Sequence, residues 1–285
     1  MTTSAEAVAT AARRLKASGS PSARVDAQLL LRHVTGWSRT QLLAHPELVL
    51  SSSEEAAFAE LVARREVSEP IAYLVGEREF YGRVFRVDRR ALIPRPETEL
   101  LVDLGRVAVA RWRSARIEPT VIDVGTGCGA VAVSLAAEAK VSVLATDVSF
   151  EALSLARENA TQLAPGRVKF AQASLLDGVR GPLHVVLANL PYVPSERRLP
   201  ADVADYEPSI AIFGGKRGTE LIERFLPAAR ELLAPGGEVA VELDEEEQAA
   251  PIADFARELF SGAEVSVQRD AGGYDRVVRV VSPDR

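Results

Sequence analysis

Beyond position 119, short apolar runs alternate with segments of helical period, and this alternation constrains the fold more than any other feature of the chain. The runs fall at 121–124, 141–145, 168–171, 185–188 and 239–243, and helical patterns at 130–139, 150–160 and 219–233 lie between most of them. Strands that are apolar throughout, rather than at every second residue, are buried on both faces. Joined through helices, they form a parallel sheet with helices on either side, an α/β architecture. Two later runs, 263–268 and 277–281, are close enough in sequence to pair as a hairpin at the edge of the sheet.

The residues before this region follow another pattern. Val8, Ala12 and Leu15 share one helical face, and Val25, Leu29, Leu30 and Val34 share a second. Between them, Ser20 reads as an N-cap and Pro21 as the first residue of the following helix. Ser51 with Glu54 makes a capping box that opens a helix through Phe58, Leu61 and Val62. After Glu77 the pattern becomes strand-like, with Phe80, Tyr81, Val84, Phe85 and Val87 arranged about Gly82 as a hairpin. Pro94 and Pro96 keep the residues before them extended, and a helix starts at Glu97 or Thr98 and runs to about Trp112. The expected organisation is a helical domain over 1–75, a hairpin linker over 76–95 and an α/β domain over 96–285.

Composition excludes several functions. A net charge of −6 argues against a protein that coats nucleic acid, which needs clustered Lys and Arg. One cysteine and three scattered histidines (His33, His45, His184) offer neither a disulfide framework nor metal-ligand spacing, so no metal is expected. No apolar run is long enough to span a bilayer, and the first residues show no basic or apolar leader, so a cytoplasmic protein is expected.

Three motifs carry chemistry, each at the end of a predicted strand. The first is Asp123-Val-Gly125-Thr-Gly127-Cys-Gly129. Glycines there let the backbone pass close to a ligand at the carboxyl edge of the sheet. A dinucleotide site spaces them G-x-G-x-x-G, whereas here they stand G-x-G-x-G, a spacing that suits a zwitterionic amino-acid ligand such as S-adenosylmethionine. The second is Asp147, about twenty residues on, an acceptor for both ribose hydroxyls of a nucleoside. The third is Asn189-Leu190-Pro191-Tyr192. The Asn189 side-chain oxygen and the Leu190 carbonyl can each accept one N–H of a planar NH₂ group, Pro191 keeps Leu190 extended, and Tyr192 can stack on the plane. Cys128, His184 and the acidic run 244–247 read as structural: the first through its backbone, the second as a residue before a buried strand, the third as a solvated helix start.

With these motifs in view, the chain resembles the protein-(glutamine N5) methyltransferases that modify bacterial-type peptide chain release factors, the HemK or PrmC group. The resemblance spans nearly the whole chain: Pro70-Ile-Ala-Tyr73-Leu-Val-Gly76-Glu77, Phe80-Tyr81-Gly82, Leu92-Ile-Pro94-Arg95-Pro96-Glu97-Thr98-Glu99, the glycine loop, Asn189–Tyr192, Tyr206-Glu207-Pro208-Ser209, Phe213-Gly214-Gly215 and 272–278. It implies a class I methyltransferase, a Rossmann-like sheet of seven strands, behind a small helical domain and a β-hairpin linker. It implies S-adenosyl-L-methionine held by Asp123, Gly125, Thr126, Gly127, Cys128, Gly129, Asp147, Ser174, Leu175 and Asn189. The glutamine of a Gly-Gly-Gln loop would meet Asn189, Leu190, Pro191, Tyr192 and Arg95, with release factors as partners and no nucleic-acid substrate. A ribosomal-protein glutamine or an adenine amino group is the alternative acceptor. The chain departs from the family at two places: Leu190 stands where the motif has its first proline, and Ser174-Leu175 stands where an Asp is common.

Overall fold

The computed structural model describes residues 2–284, and of 245 and 246 the backbone alone. The chain divides into two compact units, Met1–Glu77 with Leu199–Tyr206, and Arg78–Arg198 with Glu207–Arg285. The first holds α1 (Ser4–Ala17), α2 (Ala23–Thr35), α3 (Arg39–Ala44), α4 (Ser52–Glu66) and α5 (Ile71–Val75). Thr3, Ser38 and Ser51 each close a reciprocal capping box at a helix start. Leu15, Leu30, Leu31, Phe58 and Val62 form the core of this unit.

Two details of α2 differ from the sequence expectation. The helix begins at Ala23 with Ser22 as N-cap: the hydroxyls of Ser20 and Ser22 both donate to Asp26, and Ser20 Oγ also accepts the Ser22 N–H at 3.3 Å, ahead of the helix. Asp26 is itself buried against Arg65 at 2.9 Å. This buried ion pair turns the helix, so Ala23, Asp26, Ala27, Leu30 and Leu31 face inward while Val25 is 55% exposed.

The second unit opens with a hairpin, β1 (Glu77–Phe80) and β2 (Arg83–Arg86), joined by Tyr81 and Gly82 at φ of 50° and 67°. Positive φ at both central residues is the type I′ turn that suits the twist of a hairpin. A 3₁₀ turn, Pro96–Thr98, leads into α6 (Glu99–Ser114). Strands and helices then alternate as β3 (Val121–Val124), α7 (Ala130–Ala139), β4 (Val143–Asp147), α8 (Phe150–Leu163), β5 (Val168–Gln172), β6 (Leu183–Ala188) and the short β7 (Val193–Pro194). The chain visits the first unit through α9 (Ala201–Ala204) and continues with β8 (Phe213–Gly215), α10 (Glu220–Leu232), β9 (Leu233–Glu242), α11 (Glu245–Leu259), β10 (Glu264–Arg269) and β11 (Asp275–Val281). Of the acidic run 244–247, the side chains of 245 and 246 lie outside the described residues.

Seven strands make one sheet in the order β10-β11-β9-β6-β3-β4-β5. All neighbours are parallel except β11, which runs against both β9 and β10. Strands β3, β4 and β5 step one way across the sheet and β6 returns to the other side of β3. A crevice opens at the carboxyl edge where the order reverses, the place where open α/β sheets bind ligands. Apolar side chains cover both faces, with Leu135, Leu155 and Leu187 in one layer and Ile122, Phe225 and Val239 in the other. The hairpin is fastened by Asn159, a buried residue of α8. Its Oδ1 accepts the Arg86 N–H at 2.8 Å, and its Nδ2 donates to the carbonyls of Arg86 and Cys128 at 3.1 and 2.9 Å. Asn159→Ala strips the partner from three backbone groups and is expected to cost roughly 2–4 kcal/mol of stability, read from urea unfolding. An unchanged urea midpoint would show that the hairpin does not need this anchor.

Candidate active site

Register alone brings the three motifs together. Val124 of β3 pairs with Thr146 of β4 and with Ala188 of β6. The residues that follow, Gly125, Asp147 and Asn189, therefore leave the sheet side by side at the crevice. They border a cavity of about 320 Å³. Of the residues expected to hold cofactor or substrate, all but Gly129 and Tyr192 line it, Arg95, Ser174 and Leu175 included.

The glycine loop curls back over the end of β4. The N–H groups of Gly125 and Thr126 both donate to the Thr146 carbonyl at 2.9 Å, Gly127 N–H to Asp147 Oδ2 at 2.8 Å, and Gly129 N–H to the Thr126 carbonyl at 2.8 Å. Four amides of the loop are thus engaged within the protein, so the loop does not offer the nest of free N–H groups that a pyrophosphate requires. At Gly125, φ is 74° and an added methyl group would lie 3.1 Å from Leu190 Cδ2. Only glycine accepts both the left-handed backbone and that approach.

Asp123, at the end of β3, is buried, and its Oδ2 accepts Thr126 Oγ1 at 2.7 Å and the Ala132 N–H at 3.1 Å. Burial pushes its pKa up to about 6 against those two hydrogen bonds, and the charge of Asp147 adds to the rise. Burial raises Asp147 as well, opposed by the N–H groups of Ser149 and Gly127 on its two oxygens. Two carboxylates at one cavity make the site favourable for a cation. At the adenine end of the expected cofactor site, Leu175 takes a positive φ of 52° at the wall, beside Ser174.

Asn189 donates from Nδ2 to Thr98 Oγ1 at 3.0 Å. That bond commits the NH₂ end of the side chain to the protein. Among the described residues no donor reaches its Oδ1, which is left as an acceptor. Leu190 is buried against the glycine loop. Tyr192 is not part of the cavity wall; its ring packs with the apolar layer behind, and its hydroxyl donates to Glu242 Oε1 at 3.1 Å. Stacking by Tyr192 on a planar group, expected from the sequence, is not the arrangement seen here, because the ring packs against the apolar layer and its hydroxyl is held by Glu242. Two glycines hold this turn in place: a methyl group at Gly214 would collide with the carbonyls of Pro191 and Gly218, and one at Gly218 with that of Tyr192.

Arg95 lines the cavity, yet its guanidinium is bound to buried Glu207, whose other oxygen accepts the Ile93 N–H at 2.9 Å. The Ile93–Glu99 string is thereby tied to the segment around Pro208 on the same wall. Sequence reasoning treated Thr98 only as a helix start and did not single out Glu207 or Glu242. The signal for Glu242 was available: it is a charged residue at the end of the apolar run Val239–Val241.

The first unit matches the PrmC N-terminal domain model over residues 6–76, and the methyltransferase small domain model matches residues 101–203. A release factor glutamine methyltransferase of Deinococcus radiodurans is 40% identical over 93% of this chain and 94% of its own length. One from Koribacter versatilis is 37% identical over 96% of both chains. Among solved structures, the hMettl16 catalytic domain in complex with an RNA hairpin superimposes with a TM-score of 0.55 at 16% identity, covering 84% of each chain, a likeness of fold alone.

Cys128, the only cysteine, lies in the glycine loop but is buried, and burial pushes its thiol up to about 12 from an ordinary 9. At pH 8 its thiolate fraction lies far below that of a free cysteine. Alkylation of the native protein is expected to be at least about tenfold slower than that of the urea-unfolded chain. Equal rates, followed by mass spectrometry, would contradict a purely structural thiol.

Proposed function

The chain belongs to the release factor glutamine methyltransferase family, and on that premise we propose that it transfers a methyl group from S-adenosylmethionine to the side-chain amide nitrogen of the glutamine in the Gly-Gly-Gln loop of peptide chain release factors. The observation that carries the reading is the commitment of Asn189 Nδ2 to Thr98, which leaves Asn189 Oδ1 and the Leu190 carbonyl as a pair of acceptors at the reversal of strand order. The release factor and the cytoplasm, where translation ends, come with this reading. Among the described residues no helix is long and apolar enough to cross a membrane.

The residues present suit the cofactor. Asp123 and Asp147 favour a ligand with positive charge, and Asp147 retains lone pairs for vicinal hydroxyls beyond the two amides it accepts. When bound, the cofactor supplies an electrophilic methyl group on a cationic sulfur. The chain's own task is to present the acceptor nitrogen. An amide nitrogen is a poor nucleophile because its lone pair is conjugated with the carbonyl. Asn189 Oδ1 and the Leu190 carbonyl each accept one N–H of the glutamine amide, which fixes the plane of the NH₂ group and aims the nitrogen along the line of transfer. The same two oxygens stabilise the positive charge that grows on nitrogen, by electrostatics rather than as strong bases. The N-methylated, still protonated amide is strongly acidic and releases its proton to water. Pro191 keeps Leu190 extended, so its carbonyl serves although the residue is leucine. The helices of the first unit contribute no residue to the cavity wall and serve to dock the protein substrate.

Incubation with labelled S-adenosylmethionine should methylate a release factor and fail when the loop glutamine is replaced by alanine. Ribosomal RNA and DNA should remain unlabelled under the same conditions; robust labelling of either, beside an unmodified release factor, would transfer the reading to an adenine acceptor. Asn189→Ala should keep cofactor binding largely intact while losing at least about a hundredfold in rate. Asp147→Ala should weaken cofactor binding about tenfold to a hundredfold, the equivalent of one charge-assisted contact pair. Calorimetry that finds wild-type affinity in the latter removes Asp147 from the cofactor site.

A further inference from the structure

Behind the wall that carries Asn189 lies a second carboxylate with no part in the reaction as described. Glu242 ends β9, one residue beyond Val241, which pairs with Ala188 at the end of β6. It therefore sits beside the start of the Asn189–Tyr192 turn and is fully buried. Its Oε1 accepts the Tyr192 hydroxyl at 3.1 Å, and among the described residues its Oε2 is enclosed without a well-formed hydrogen bond. A fold that buries a carboxylate and leaves one of its oxygens unsatisfied sacrifices stability at that point. The Thr98 hydroxyl is near enough to favour the charged form of Glu242, and that same hydroxyl accepts Asn189 Nδ2 at 3.0 Å.

We propose that Glu242 is a positioning residue for methyl transfer, setting through Thr98 which end of the Asn189 carboxamide faces the substrate. The proposal rests on the acceptor role given to Asn189 above. As a carboxylate, Glu242 can only accept, so the nearby Thr98 hydroxyl orients its proton toward it, short of a well-formed hydrogen bond, and turns its lone pairs toward Asn189. Asn189 must then offer Nδ2 to Thr98 and Oδ1 to the cavity, the orientation that grips an N–H. As a carboxylic acid, Glu242 donates to Thr98, the Thr98 proton turns toward Asn189, and the carboxamide is stabilised in the flipped orientation. Its NH₂ would then oppose the NH₂ of the substrate, donor against donor. Tyr192 reinforces the first arrangement by donating to the carboxylate and by carrying the loop on its backbone.

The balance between the two forms lies within the working range of an enzyme. Burial raises the Glu242 pKa to about 7; the hydroxyls of Thr98 and Tyr192 and the charge of Arg276 oppose the rise, and Glu97 adds to it. The other charged groups facing this cluster are Asp244, which acts on Tyr192, and Asp270, which pairs with Arg276 at 3.2 Å. Ionisation is therefore gained as pH rises through about 7, and with it the gripping orientation.

The test uses the full-length protein and Glu242→Gln, which keeps the shape and removes the titration. The wild type should show a turnover that rises with pH between about 6 and 8, whereas the variant should lose that limb and fall roughly tenfold to a hundredfold in kcat at pH 8 with cofactor affinity unchanged. A readout without substrate accompanies it: the side-chain NH₂ resonances of Asn189, assigned through Asn189→Ala, should titrate near pH 7 in the cofactor-bound wild type and stay flat in Glu242→Gln. Thr98→Val, which cuts the relay without touching the carboxylate, should also flatten them and serves if the first variant unfolds. Persistence of the Asn189 titration in both variants overturns the proposal whatever the enzyme methylates. A wild type that shows the titration but labels no release factor leaves Glu242 in its role and overturns the substrate reading instead.

Discussion

Because β3 is flanked by β4 on one side and β6 on the other, the chain leaves the sheet in two directions from adjacent points on its carboxyl edge. The site depends on this single constraint. Residues twenty and sixty positions apart in sequence become neighbours through parallel register, with no contribution from their side chains. The loops need only be short enough not to cover the crevice, and the glycine loop achieves that by folding onto the Thr146 carbonyl. Catalytic geometry thus rests on backbone pairing between buried strands, among the most rigid parts of any α/β protein.

The electrostatic arrangement follows from the same placement. Strand ends at a switch point are half inside the protein, so carboxylates placed there are desolvated but still reach a ligand. Asp123 and Asp147 occupy the side of the crevice next to β4, and Glu242 stands behind the side next to β9. The first two face a cavity in which a cation can offset them. The third faces the hydroxyls of Thr98 and Tyr192, with the charge of Arg276 acting alongside them. Carboxylates in comparable burial therefore serve different ends according to what stands in front of them.

Much of the fold was legible before the structure because its helices and strands are buried on broad faces. The apolar segment 130–139 is all helix within those bounds, and the capping box at Ser51 opens α4 as expected. Strand β4 begins at Val143, two residues later than its apolar run, since an apolar residue does not by itself enter a ladder. The start of α2 was misplaced because Ser20 bonds the Ser22 N–H and Asp26 rather than an amide inside the helix, and the place of Asp26 is fixed by its tertiary ion pair with Arg65. The site was legible where motif residues project from the strand ends, as at Asp123, Asp147 and Asn189. It was illegible where support comes from another segment. Nothing near Asn189 in sequence points to Thr98, ninety-one positions earlier, and nothing about Tyr192 tells that its ring lies behind the wall rather than in it.

The two glycines that flank the Asn189–Tyr192 turn have a consequence for how such a protein can vary. Gly214 and Gly218 press their backbones against the carbonyls of Pro191 and Tyr192, with no room for a methyl group at either. Surface loops commonly absorb substitutions over generations, and these two glycines stand beside a turn that looks like one. Here neutral drift is closed off: a side chain at either position displaces the Pro191 or Tyr192 peptide, directly after the Asn189–Leu190 pair. A lineage that changed them could keep a folded, abundant protein and still lose the reaction, so the inheritance of activity runs through two residues that never meet the substrate.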